Sequence, residues 1–213
     1  MAAVARGERV LLLAIVIGAL LYSGIAPRDR LTWWLETVWA MAGLVLILST
    51  WRRFPLTRLL CWLLAAHALV LIYGGAWTYA ETPLGFQLRD AFHLQRNPWD
   101  RIGHFMQGFV PAILARELLL RCTPLRRGGW LVYLVLAAAL RFSALFALIE
   151  WWAALAFGAD AEAFLATQGD VWDTQWDMFL CLLGAVLSLL LFSRLHDRQL
   201  PQVGMPMTPP PLR

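Results

Sequence analysis

The sequence predicts an all-α, polytopic membrane protein with six transmembrane helices and both termini in the cytoplasm (N-in/C-in). Three observations carry that expectation. Hydrophobic residues make up 60% of the chain and charged residues only 15%, against about 25% charged in an ordinary soluble domain. Six runs come close to the length of about 20 apolar residues that crosses a bilayer core. The arginines also divide unevenly between the two sets of loops that those runs define.

The six runs are 10–26, 33–50, 57–77, 101–121, 130–152 and 173–193, and they make 1–199 a single integral membrane domain. The first follows Arg6 and Arg9 and ends at Ser23-Gly24-Ile25-Ala26, much as a signal peptide would. Pro27 disfavours cleavage there and more apolar runs follow, so the segment reads as an uncleaved first helix. Trp33, Trp34, Trp51, Trp77, Tyr79, Trp99, Trp130, Trp151, Trp152 and Trp172 mark the ends of the runs, as an interfacial aromatic belt does. Pro201, Pro206, Pro209, Pro210 and Pro211 make 200–213 a disordered cytoplasmic tail. Cys61, Cys122 and Cys181 lie in or beside apolar runs with no close pair, which argues against a disulfide framework or a zinc knuckle.

Orientation follows from arginine placement. With the N-terminus inside, Arg6, Arg9, Arg52, Arg53, Arg58, Arg121, Arg126, Arg127, Arg194, Arg198 and Arg213 share the cytoplasmic side. Only Arg28, Arg30, Arg89, Arg96 and Arg101 face the other way. The net charge of +4 is therefore a matter of topology. The expected partners are membrane lipids and not nucleic acid.

Acidic residues distribute in the opposite sense. Of 14, only Glu8, Glu117 and Asp197 fall on the cytoplasmic side. Glu36, Glu150 and Asp177 lie inside the runs near their external ends, as does His104. Ionisable groups in spanning segments cost about 2.5 kcal/mol or more at mid-bilayer, and they usually line a cavity with a partner. Asp170, Asp173 and Asp177 stand at i, i+3 and i+7, one helical stripe that continues through Cys181, Gly184 and Ser188. Asp100, His104 and Gln107 are spaced likewise. Capping and the helix dipole account for Asp170 and for Asp173, but not for Asp177.

If these groups converge, His104, Glu150, Asp173 and Asp177 are the candidate ligands for a divalent ion such as Zn or Mn, with Asp100, Gln107, Asp170, Glu81 and Arg101 around them. The same four are candidate catalytic residues for general acid–base work on an envelope or lipid substrate at the periplasmic face. Two other readings stay open. One is a small ion-coupled transporter, for which His67 and Arg141 at mid-depth would matter. The other is a structural membrane partner whose polar groups only hold external loops in place.

Several stretches resemble the YjdF family of bacterial inner-membrane proteins. They are 74–81 (GGAWTYAE), 96–104 (RNPWDRIGH), 107–109 (QGF), Arg116-Glu117, 149–152 (IEWW) and 167–175 (TQGDVWDTQ). The resemblance runs from about Val10 to Leu200; it implies an inner-membrane location and assigns no reaction. This chain departs from that pattern at Ala147, where a second Glu often stands, and at Ala166, where Gly stands. The C-terminal half is also similar to VanZ-like membrane proteins, which carry a D-x3-D-x3-N-x2-G stripe. Asp173, Asp177, Cys181 and Gly184 occupy those places, with Cys181 for Asn.

Overall fold

In the computed structural model the described residues are 4–204, and they form helices with no strand. Six long helices are α1 (Arg6–Ser23), α2 (Arg30–Thr50), α3 (Arg58–Trp77), α5 (Trp99–Cys122), α6 (Gly129–Phe157) and α8 (Asp173–Gln199). Two short ones, α4 (Pro83–Ala91) and α7 (Glu162–Leu165), sit in what the sequence presents as loops.

Each long helix covers most or all of one expected run, and the ends shift for local reasons. Asp29 caps α2 by accepting from the Thr32 amide, which starts that helix ahead of Trp33. α6 continues five residues past Trp152 until Gly158, at φ +56, ends it. Glu150 thus lies two turns inside the helix and not at its edge. Leu200–Val203 extends α8 as a 3₁₀ turn with Leu200 fully buried. The start of the expected disordered tail is therefore ordered, and residues beyond Gly204 lie outside the described set.

Four helices, α2, α3, α6 and α8 with its 3₁₀ extension, are long and apolar enough to cross a membrane. α1 carries Arg6, Glu8 and Arg9 in its 18 residues. α5 carries His104, Gln107, Arg116 and Glu117 along its length. Charge at one end of α1 and polar groups through α5 dilute the hydropathy of both.

α5 and α8 form the most intimate pair. A Cβ on Gly108 would run into the Cys181 backbone, and one on Gly184 into that of Phe105. Two side-chain-free surfaces bring the backbones together, the packing device of small residues between membrane helices. Asp100, His104 and Gln107 on α5 are thereby pressed against Asp173 and Asp177 on α8.

The far ends of the same two helices are bound by a second polar network. Glu117, fully buried, accepts from the Thr57 hydroxyl (2.7 Å), from Arg121 (2.6 Å) and from His196 Nε2 (3.0 Å). Arg116 donates to His196 Nδ1 at 2.8 Å and to Asp197 at 2.8 Å. Because guanidinium only donates, Nδ1 accepts and the Nε2–H goes to Glu117, which fixes a neutral imidazole. This network has its polar groups partnered and reads as a clamp on the helix ends.

Candidate metal centre

Asp100 and His104 stand one turn apart on α5, and Asp177 meets them from α8. His104 Nε2 lies 3.5 Å from Asp100 Oδ1 and 3.5 Å from Asp177 Oδ2. Ligand atoms drawn from all three lie within 4.8 Å of one another. All three residues are buried, at 5%, 7% and 5% exposure. These distances are long for hydrogen bonds. The two His104–carboxylate distances come close to the edge of a coordination polyhedron, since ligands about 2.0–2.1 Å from a tetrahedral ion stand about 3.3 Å apart.

Two details orient the triad. His104 Nδ1 faces the Gln107 amide oxygen at 3.1 Å. With Nδ1 as donor, the Nε2 lone pair points between the two carboxylates, the tautomer a metal-binding histidine adopts. The other Asp177 oxygen, Oδ1, is buried with no hydrogen-bond partner among the described residues. An acceptor left bare in that way costs free energy unless a ligand satisfies it.

A cavity of about 60 Å³ adjoins the triad, lined by Glu36, His67, Tyr79, Asp100, His104, Gln107 and Glu150 on its polar side. Trp39, Phe142 and Phe146 close it toward α2 and α6. That volume suits an ion with a few waters, whereas drug-sized ligands take about 300–1,000 Å³. Tyr79 reaches the cavity through two consecutive left-handed residues, Thr78 (φ 60) and Tyr79 (φ 50). Its ring sits where Cβ atoms on Gly74 and Gly103 would be, and its hydroxyl has no partner among the described residues. Non-glycine residues in that region cost about 1–3 kcal/mol each and persist where surrounding structure imposes them.

The other expected ligands separate into two roles. Glu150 lines the cavity. Asp173 instead engages Arg96 at 2.5 Å, and Arg96 also donates to Asp100 (3.2 Å) and to the Ala166 carbonyl (3.0 Å). Arg96 thus ties the triad to the 166–173 segment. Asp170 pairs with Arg101 at 2.7 Å, and the Trp172 amide donates to it. That amide, then the Arg101 and Arg96 guanidiniums, hold the Asp170 carboxyl below its ordinary value of 3.8. Glu81 pairs with Arg28 through exposed side chains, and neither residue lines the cavity.

Glu36, Tyr79 and Arg96 also belong to the site, beyond the residues that the sequence predicts for it. Asp100 belongs in the triad itself, where Asp173 was expected. The Asp100/His104 spacing of four was the available signal, matching Asp173/Asp177.

The family model described as "Predicted membrane protein (DUF2238)" matches residues 8–198. The chain belongs to that family. A relative in Escherichia coli (strain K12), "Inner membrane protein YjdF", is 48% identical over 186 residues, covering 87% of this chain and 89% of the relative. The likeness read from the motifs thus extends over nearly the whole chain. No solved structure matches it. Ala166 sits at φ 50, a conformation that glycine adopts freely.

Proposed function

We propose that the chain is a six-span inner-membrane protein with both termini in the cytoplasm. In this reading the buried Asp100–His104–Asp177 triad holds a divalent cation, zinc or manganese, near the periplasmic face. The observation that carries the metal is the bare Asp177 Oδ1 beside a His104 Nε2 that stands 3.5 Å from a carboxylate oxygen on each side. Charge balance supports it as well. Glu36, Asp100, Glu150, Asp173 and Asp177 gather five carboxyl groups, and Arg96 bonds directly to only two of them. A cation placed among these carboxyls would favour their ionised forms.

The relative's name and the arginine bias support the membrane and the orientation. Helix direction supports six spans. The triad end collects the starts of α2, α5 and α8 with the ends of α3 and α6, and Glu8 at the start of α1 meets Arg58 at the start of α3. A periplasmic phosphatase reporter fused at Gly169 should be active and one fused after Gly204 silent. The reverse pattern contradicts the orientation.

Asp100, His104 and Asp177 would hold the ion, three protein ligands being the number found in catalytic zinc sites. A bound ion would supply Lewis-acid activation of water there, and Glu150 or Glu36 on the cavity wall would accept a proton. In hydrolysis of an ester or phosphoester, the same carboxyl would return that proton to the departing alkoxide. The substrate class is an envelope or membrane lipid. Trp39, with its ring centroid 6.1 Å from Phe142 and 6.3 Å from Phe146, packs with Leu35 across the seam between α2 and α6, an entirely apolar closure. A lipid chain can part such a seam.

Metal analysis of the purified full chain reconstituted with zinc or manganese tests the site. About one ion per chain is expected for the wild type, with at least a tenfold loss of affinity in Asp177→Asn and His104→Ala. Equal metal content in all three proteins overturns the reading. One observation favours a second reading, ion movement. His67, midway along α3, lines the same cavity with its Nε2 unpartnered among the described residues. Proton-coupled uptake into vesicles, abolished in His67→Phe while bound metal is retained, would favour that alternative.

A further inference from the structure

α6 buries one stripe, Leu131, Val135, Ala139, Ser143 and Phe146, against the rest of the chain. Arg141 is two residues from both Ala139 and Ser143, which turns it about 200° away from that stripe. It is exposed and makes no ion pair or side-chain hydrogen bond among the described residues. It is also the thirteenth of 29 residues in a helix apolar enough to span a membrane. At 1.5 Å per residue it stands about 18 Å from one helix end and about 24 Å from the other. That is mid-depth in a core of about 30 Å, where snorkelling, which serves residues near helix ends, gives little relief. Its neighbours on that face are Ala137 and Ala138 one turn before, then Leu145 and Leu148 beyond. The two alanines form a notch in which a second helix backbone can come close.

We propose that the Arg141 face of α6 is an interface for a transmembrane helix of another protein bearing one aspartate or glutamate at mid-bilayer. Charge complementarity selects the partner. A lone guanidinium facing hydrocarbon is relieved by a carboxylate, and neutral apolar helices offer it nothing. A second copy of this chain does not fit. Symmetric α6–α6 packing opposes Arg141 to Arg141. Of the carboxylates within the spanning helices, Glu36, Asp100, Glu117 and Asp177 are buried in their own chain, and half-buried Glu150 lines its internal cavity. The inference does not depend on the metal reading, because Arg141 is absent from the cavity lining.

The test uses full chain in phosphatidylcholine vesicles and a synthetic leucine–alanine transmembrane helix carrying one central Asp, with an all-apolar helix as control. Binding is followed by energy transfer between labels. The Asp helix should bind on the order of tenfold more tightly than the control. That preference should vanish in Arg141→Leu and survive in Arg141→Lys. Arg141→Leu should melt no lower than wild type, since nothing within the chain depends on the guanidinium, so lost binding is not lost folding. Equal binding of the two helices by the wild type overturns the proposal. So does self-association of the chain that Arg141→Leu abolishes, because it names a second copy as the occupant.

Discussion

Replacing Gly108 with alanine tests the link between packing and the triad. The new Cβ would lie 2.9 Å from Cys181 Cα and closer still to its carbonyl, where ordinary contact begins at 3.4 Å. Clearing the Cα alone takes 0.5 Å (3.4 − 2.9) of helix separation, and the carbonyl demands more. The obstacle is backbone on both sides, so no side chain can swing away. Overpacking of this kind costs about 1–3 kcal/mol, occasionally more, or about 3–10 °C in melting temperature for a chain of this size. Gly108 is one turn below His104, and Cys181 one turn below Asp177. Metal ligands tolerate about ±0.2 Å, so the same displacement should also strip the ion. Thermal unfolding in detergent and metal content are measured together. Gly43→Ala on α2, where an added Cβ meets nothing within 4 Å, is the control and should be neutral or slightly stabilising. If Gly108→Ala melts and binds metal like Gly43→Ala, α5 and α8 are not held as described.

Ala166→Gly should raise the melting temperature by about 2–4 °C, because it removes a left-handed alanine worth about 1 kcal/mol net; no change, or a fall, contradicts the strain. Glu117→Gln should cost about 3–5 kcal/mol, since it places an amide among Thr57, Arg121 and His196 with no route to water; denaturant titration reads this, and wild-type stability would refute the clamp. The Asp170 carboxyl is held low, so its contribution is present above the unfolded value near 3.8 and is lost as pH falls through its lower folded value. Acid melting curves should therefore lose a component below about pH 4 that Asp170→Asn lacks throughout; identical curves would show that the Arg101 pair is not formed in solution.

The helices were legible because long apolar runs leave few alternatives. Even so, α4 and α7 went unseen in segments too polar and too short to show helical periodicity. In the site, the i, i+4 pairs Asp100/His104 and Asp173/Asp177 could be read. Which member of each pair faces the other helix could not, because that depends on rotation about the helix axis, set here by Gly108 and Gly184. Asp173 was drawn to Arg96 by the same rotation that brought Asp100 into the triad. Tyr79 was hidden for another reason. Threonine and tyrosine carry no local signal for two left-handed residues in succession, so only the pocket left by Gly74 and Gly103 explains the turn. The Glu117–His196 contact joins residues 79 apart in sequence and follows from tertiary packing alone.

X-ray absorption on the zinc- or manganese-loaded protein tests the metal centre most directly. One nitrogen and at least two oxygen ligands at about 2.0–2.2 Å are predicted, with one oxygen scatterer replaced or lost in Asp177→Asn. An ion coordinated by sulfur, or a first shell identical in wild type and Asp177→Asn, would contradict the assignment of Asp100, His104 and Asp177 as its ligands.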